Sequence, residues 1–221
     1  MEATHIRDTH VPPQFDVDAA VAHLSRKDRT LARLIREVGP CRLEIAPRQT
    51  PYQALLESVV YQQLTGKAAA TIYSRVCASF GSRRCPGPKK IAEASEELLR
   101  AAGLSRSKVA AVKDLAQKSL AGEIPTRLAA EKLSDTELVE CLTSVRGIGT
   151  WTVEMFLIFT LGRPDVLPLD DYGVRKGFAR TFGRDVLPKP KELLALGEKW
   201  RPFRTAASWY LWRALDLDAR S

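Results

Sequence analysis

The chain has little of what most metal, redox and nucleophilic centres are made from. Its 221 residues include only four cysteines and three histidines. Cys41, Cys77, Cys85 and Cys141 lie at wide, irregular spacing with no CxxC pair. That argues against a zinc site or a cysteine-held iron–sulfur cluster, and fits reduced thiols in a cytoplasm. His5, His10 and His23 all fall within the first 23 residues. A serine–histidine triad, or a metal held by histidine side chains, would need the N-terminus to fold back into the site. Long apolar runs are missing too, since the longest, MFLIF at 155–159, is far too short to span a bilayer. The opening MEATHIRDTHVPPQF is polar and carries no apolar core segment, so no secretory signal is expected. No strand pattern of any length and no internal repeat is found. Carboxylates are left as the first candidates for chemistry.

What the chain does have is positive charge and helix. Lys and Arg exceed Asp and Glu by enough to give a formal charge of +8, which suits an acidic polymer such as nucleic acid. No basic amphipathic helix is clear enough to suggest a membrane surface. Apolar residues at 52, 55, 56, 59 and 60 follow Thr50 and Pro51, a helix start with a cap and an N1 proline. That helix is expected to end at Leu64, with a second following across the Thr65-Gly66 turn through KAAATIYSRVCASF, and the basic SRRCPGPKK reads as a loop. SDTE at 134–137 is a capping box opening a helix that should end near Val145. TWTVEMFLIFTL is apolar almost all round and reads as a buried central helix. A last helix is expected around 203–217. The pattern predicts an all-α protein.

Between two of these helices stands SVRGIGTWT. Gly147 and Gly149 permit a reversal in very few residues, giving a helix–hairpin–helix. Unpaired amides at the second helix's N-terminus can then take a phosphate oxygen, with Arg146, Gly147, Ile148, Gly149 and Thr150 as the candidate phosphate-binding set. Ile148 would anchor the turn in the core. A tight αα-hairpin without a ligand is the competing reading. Twenty residues after Trp151, DVLPLDDYGVRKG places Asp170 and Asp171 where a further helix begins. Either is a plain N-cap, or one carboxylate faces a cleft and does chemistry on bound DNA.

VRGIGTWTVEMF…DVLPLDDYGVRKG resembles the helix–hairpin–helix DNA glycosylases, and within them the 3-methyladenine DNA glycosylase II group. The resemblance runs from about Thr50 to Trp212. It implies two helical domains, 50–162 ending in the hairpin and 1–49 with 163–221, with the lesion pocket in the cleft between them. It also implies a short form, since the segment before Thr50 is too short for the extra N-terminal β domain of larger bacterial members. The second aspartate of the pair is catalytic in that group, which points to Asp171. Asp170 is then expected to cap or orient. Leu64, with Gln63 beside it, matches the intercalating residue, and Trp151 and Trp212 match pocket aromatics. Met155 stands where bacterial relatives have a pocket tyrosine, which bears on substrate range. Trp151 replaces the Schiff-base lysine of some relatives, which favours a monofunctional enzyme using water.

The expected activity is hydrolysis of the N-glycosidic bond of 3-methyladenine, 7-methylguanine or etheno adducts in duplex DNA, after base flipping. No cofactor is expected, apart from a monovalent cation that the hairpin carbonyls could hold. The protein is expected to be a monomer with no membrane partner, in the cytoplasm, at the nucleoid if bacterial and in the nucleus if eukaryotic. Two alternatives remain open from the residues alone. One is a non-catalytic helix–hairpin–helix DNA binder, and the other a glycosylase for oxidised or deaminated bases.

Overall fold

Helix starts in this chain follow its capping side chains. In the computed structural model, which describes residues 13, 15–46 and 49–217, Asp16 accepts from the Ala19 amide and opens α1 (Val17–Lys27). Asp28 accepts from Thr30 and Leu31 and opens α2 (Arg29–Val38), which Gly39 ends at φ +88°. Thr50 and Gln53 form a capping box ahead of α3 (Pro51–Tyr61). There follow α4 (Gly66–Ala78), α5 (Pro88–Glu93), α6 (Glu96–Ala101), α7 (Arg106–Leu120), α8 (Arg127–Lys132) and α9 (Asp135–Leu142). The expected box of Ser134 and Glu137 opens α9. After the glycine turn come α10 (Thr150–Phe159), α11 (Tyr172–Thr181), α12 (Pro190–Gly197) and α13 (Arg204–Ala214). The described residues contain no β-strand, and no helix among them is long and apolar enough to cross a membrane. His5 and His10 lie outside the described residues.

Several boundaries differ from the sequence expectation. The helices α5, α8 and α12 are only six to eight residues long, shorter than the window over which an apolar period can be read. Pro88, read as part of a loop, is the N1 residue of α5. α9 stops at Leu142, three residues before Val145. The helix α10 is not buried all round, because Trp151 and Phe159 are 43% and 37% exposed.

The chain divides into two units, residues 48–156 and residues 1–47 with 157–221. In the first, α7 packs on α3 and α5, over a core that includes Leu55, Leu56, Val59, Leu99, Leu115 and Leu138. In the second, α13 packs against α11, α2 and α1, around Trp200, Tyr210, Phe178 and Leu31.

Asp28 ties the second unit together. Its Oδ1 caps α2, while its Oδ2 accepts from Trp200 Nε1 at 3.0 Å and pairs with Lys199 Nζ at 2.9 Å. Burial pushes this carboxyl's pKa up, but the donors on Lys199, Trp200 and Leu31 outweigh it and hold the pKa below its ordinary value. The stabilisation this provides is present above the unfolded aspartate pKa of about 3.9 and fades as pH falls through the lower folded value. Asp28→Ala removes a cap and a charge-assisted bond, and should cost about 2–4 kcal/mol at pH 7. Denaturant titrations at stepped pH should show the gap to wild type closing below about pH 4. A gap that stayed constant down to pH 2 would contradict this account.

Candidate active site

Asp171 has the geometry of both a cap and a held carboxylate. Its Oδ1 accepts from the Val174 amide at 2.7 Å, so Asp171, not Asp170, is the N-cap of α11. This corrects the assignment of the cap to Asp170, which is exposed. The same Oδ1 accepts from Trp212 Nε1 at 2.8 Å. The Trp212 ring in turn stacks on Phe159, with centroids 5.7 Å apart and planes inclined by 25°. Two donors on one oxygen fix which way the carboxylate faces.

This arrangement requires glycine at two places on α11. A Cβ at Gly173 would lie 2.9 Å from Trp212 Cδ1 and 3.1 Å from Asp171 Oδ1. One at Gly177 would stand 1.9 Å from the Leu211 carbonyl oxygen, so α13 could not approach as it does. The loop leading to Asp171 is pinned from α13 as well. Arg204 grips Asp165 through Nε at 2.7 Å and Nη2 at 3.1 Å. Thr205 Oγ1 accepts from the Val166 amide and donates to the Arg163 carbonyl, and Ser208 Oγ donates to the Val166 carbonyl.

The glycine turn belongs to the 48–156 unit. Gly147 sits at φ +77°, and a Cβ there would press on Ala111 Cβ at 3.3 Å. Gly149 differs, since a Cβ there would meet open space. Packing therefore requires the first glycine, while the second bares a stretch of backbone. Ile148 is buried as expected. The proposed phosphate donors are fewer than the sequence suggests. The Arg146 amide already donates to Asp114 Oδ2 at 2.7 Å, and the Ile148 amide to the Val145 carbonyl at 3.1 Å. The Gly149 carbonyl accepts from Thr152 and Val153. This network does not use the amides of Gly149 and Thr150, at the start of α10. Arg146 contributes an exposed side chain.

A second turn and the glycine turn line one cavity. The helix α3 ends at Tyr61, three residues before Leu64, where the sequence suggested it would end. Gln63 adopts φ +57°, a left-handed conformation rarely taken by a non-glycine residue, and is exposed. Leu64 is 40% exposed. A cavity of about 600 Å³ is lined here by Tyr61, Gln63, Leu64, Gly147, Trp151 and Met155, among others. Trp151, Met155 and Phe159 recur every four residues and share one face of α10.

Sequence reasoning missed Lys108, Gln62 and Phe159. From α7, Lys108 Nζ donates to the carbonyls of Val60 and Gln62 at 2.7 and 2.8 Å, closing off α3. Desolvation lowers the Lys108 pKa. Gln62 Nε2 donates to the Gly147 carbonyl. No local pattern announces these contacts. Gly173 and Gly177 did carry a signal, because a four-residue glycine spacing marks a helix face another backbone can approach.

A model of the HhH-GPD superfamily of base excision DNA repair proteins matches residues 56–202. The chain is 40% identical over 199 residues to DNA-3-methyladenine glycosylase 1 of Schizosaccharomyces pombe, covering 90% of this chain and 87% of that protein. It is similar to the solved structure of the 3-methyladenine DNA glycosylase of that yeast in complex with abasic DNA, with a TM-score of 0.81 and 41% identity, covering 88% of this chain and 95% of the other. A DNA-3-methyladenine glycosidase structure from Bacillus halodurans gives a TM-score of 0.82 at 33% identity, over 94% of both chains.

The glycine contacts predict a graded response. Gly173→Ala should push the Trp212 indole off Asp171, cost about 1–3 kcal/mol and shift the indole N–H proton resonance. Gly177→Ala should cost more, because a backbone carbonyl cannot swing aside. An unshifted indole resonance in Gly173→Ala would show that the contact does not set the indole position.

Proposed function

The chain belongs to the HhH-GPD superfamily of base excision DNA repair proteins, and we propose that it is a monofunctional alkylbase DNA glycosylase acting on alkylated purines in duplex DNA. The observation that carries the mechanism is the Asp171 carboxylate, aimed by the Val174 amide and the Trp212 indole. Breaking an N-glycosidic bond builds positive charge on the sugar. A carboxylate already oriented at that point stabilises the oxocarbenium-like transition state without reorganising, and orients the attacking water. N3- and N7-alkylated purines are already cationic and leave without a strong general acid. The exposed face of Trp151 suits a cationic ring, and Met155, on the same face of α10, adds a flexible apolar contact. Trp151 has no amine with which to form a Schiff base, so water attacks the sugar.

The remaining residues serve access. A stacked base is out of reach and must be flipped, and Leu64, exposed beside the left-handed Gln63, suits a wedge that fills the gap. The amides of Gly149 and Thr150, with the Arg146 side chain, suit a phosphate group. Such contacts read no sequence and weaken as salt rises. This chemistry needs no cofactor. A monovalent cation at the turn would share the Gly147 carbonyl with Gln62. The enzyme acts as a monomer in this reading.

Asp171→Asn separates charge from structure, because asparagine also caps helices and still accepts from Trp212. Single-turnover release of 7-methylguanine should fall about a thousandfold, with duplex affinity within a fewfold of wild type. Equal rates in the two proteins would remove Asp171 from the mechanism. A wild type that binds methylated duplex yet frees no methylpurine would refute the assignment of substrate.

A further inference from the structure

Gln62 stands at the joint between two parts of the 48–156 unit. Its main chain ends α3 and leads into the left-handed Gln63 and the exposed Leu64. Its side chain turns to the hairpin, where Nε2 donates to the Gly147 carbonyl at 3.0 Å and reaches Thr152 Oγ1 at 3.4 Å. These acceptors lie 85 and 90 residues further along the chain, in the glycine turn and the first turn of α10. From the other side, Lys108 Nζ holds the Gln62 carbonyl at 2.8 Å. The residue is thus bound through both its backbone and its side chain.

We propose that Gln62 is a positioning residue that locks the Gln63-Leu64 turn to the phosphate-binding hairpin, so that DNA gripped at the hairpin amides meets Leu64 in a fixed register. The proposal rests on reading the chain as a base-flipping glycosylase. Its physical basis is the weakness of the wedge turn by itself. Gln63 is held in a disfavoured conformation, and Leu64 is too exposed to be positioned by packing. Such a turn keeps its shape only when its surroundings over-determine it. The Lys108 bond fixes the backbone at Gln62, and the Gln62 amide ties that point to the hairpin. The chemistry requires a donor of this length. Methionine has the length without the N–H, and glutamate would set a carboxylate against a carbonyl oxygen.

The test uses the full chain and a duplex with 2-aminopurine at the target position, whose fluorescence rises on unstacking. Gln62→Met should bind this duplex within about threefold of wild type and populate the unstacked state roughly tenfold less, the scale of one well-made hydrogen bond. In a Leu64→Ala background, adding Gln62→Met should change the signal no further, because the two residues act through one wedge. Thermal melts check that each variant is folded. If Gln62→Met fails that check, Gln62→Asn, which keeps the amide one methylene short, carries the same comparison. A wild-type fluorescence rise in the folded variant overturns the proposal, as does an additive loss with Leu64→Ala. The underlying function is tested separately. A wild type that unstacks 2-aminopurine but releases no methylpurine sinks the glycosylase reading and leaves the role of Gln62 standing. One that releases methylpurine while Gln62→Met unstacks normally sinks the inference alone.

Discussion

Where a Cβ on Gly177 would stand, the structure has the carbonyl oxygen of Leu211, only 1.9 Å away. The placement of the Asp171 carboxylate depends on that close approach of α13 to α11. It sets Trp212, one residue past Leu211, against the N-terminus of α11, where Gly173 leaves room for the indole. The indole then meets Asp171 Oδ1 at 2.8 Å. A larger side chain at either glycine would keep both helices but remove the second donor on the carboxylate. Helix packing is thereby converted into the direction of one charged group. The arginine, threonine and serine of α13 hold the preceding loop by the same helix, so a single element supports the carboxylate from both sides.

The 48–156 unit solves a different problem, which is to hold two turns firmly beside one cavity. Both turns that face the cavity are left-handed, Gly147 at φ +77°, which glycine adopts at little cost, and Gln63 at φ +57°, which a side chain disfavours. Each is held in place by its neighbours. Ile148 and Val145 do this for the hairpin by burial. Lys108 does it for the Gln63-Leu64 turn, committing its ammonium to two carbonyls. A lysine's charge alone therefore does not show that its ammonium is available to an anion. Arg146 makes the complementary point, since its amide is committed to Asp114 while its side chain is exposed.

What could be read from the sequence was what is local. Thr50 with Gln53 and Ser134 with Glu137 cap as their spacing says, and the glycine pair makes the reversal that it implies. Asp171 was within reach because helix caps and the DDY pattern are short-range. Choosing between Asp170 and Asp171 as the cap depended on the path of the loop, where the Asp171 amide bonds back to the Pro168 carbonyl. The supports were not legible. Trp200 meets Asp28 across 172 positions, Gln62 meets Gly147 across 85, and Lys108 meets Gln62 across 46. Any lysine or glutamine on a helix could have made such contacts, and nothing nearby in the chain distinguishes these. The exposure of Trp151 and Phe159 was missed for a related reason. An apolar helix reads as buried unless one face is reserved for a ligand.

The central claim is that this chain frees alkylated purines by hydrolysis, with no covalent link to the DNA. Its most direct test is to incubate wild-type protein with dimethyl-sulfate-treated duplex in two parallel reactions, one with sodium borohydride to trap any protein–DNA adduct and one without it for analysis of free bases and strands. The account predicts free 3-methyladenine and 7-methylguanine, strands that break only on alkaline treatment, and no protein–DNA adduct. A trapped adduct, or methylated DNA that keeps all its bases, would contradict it.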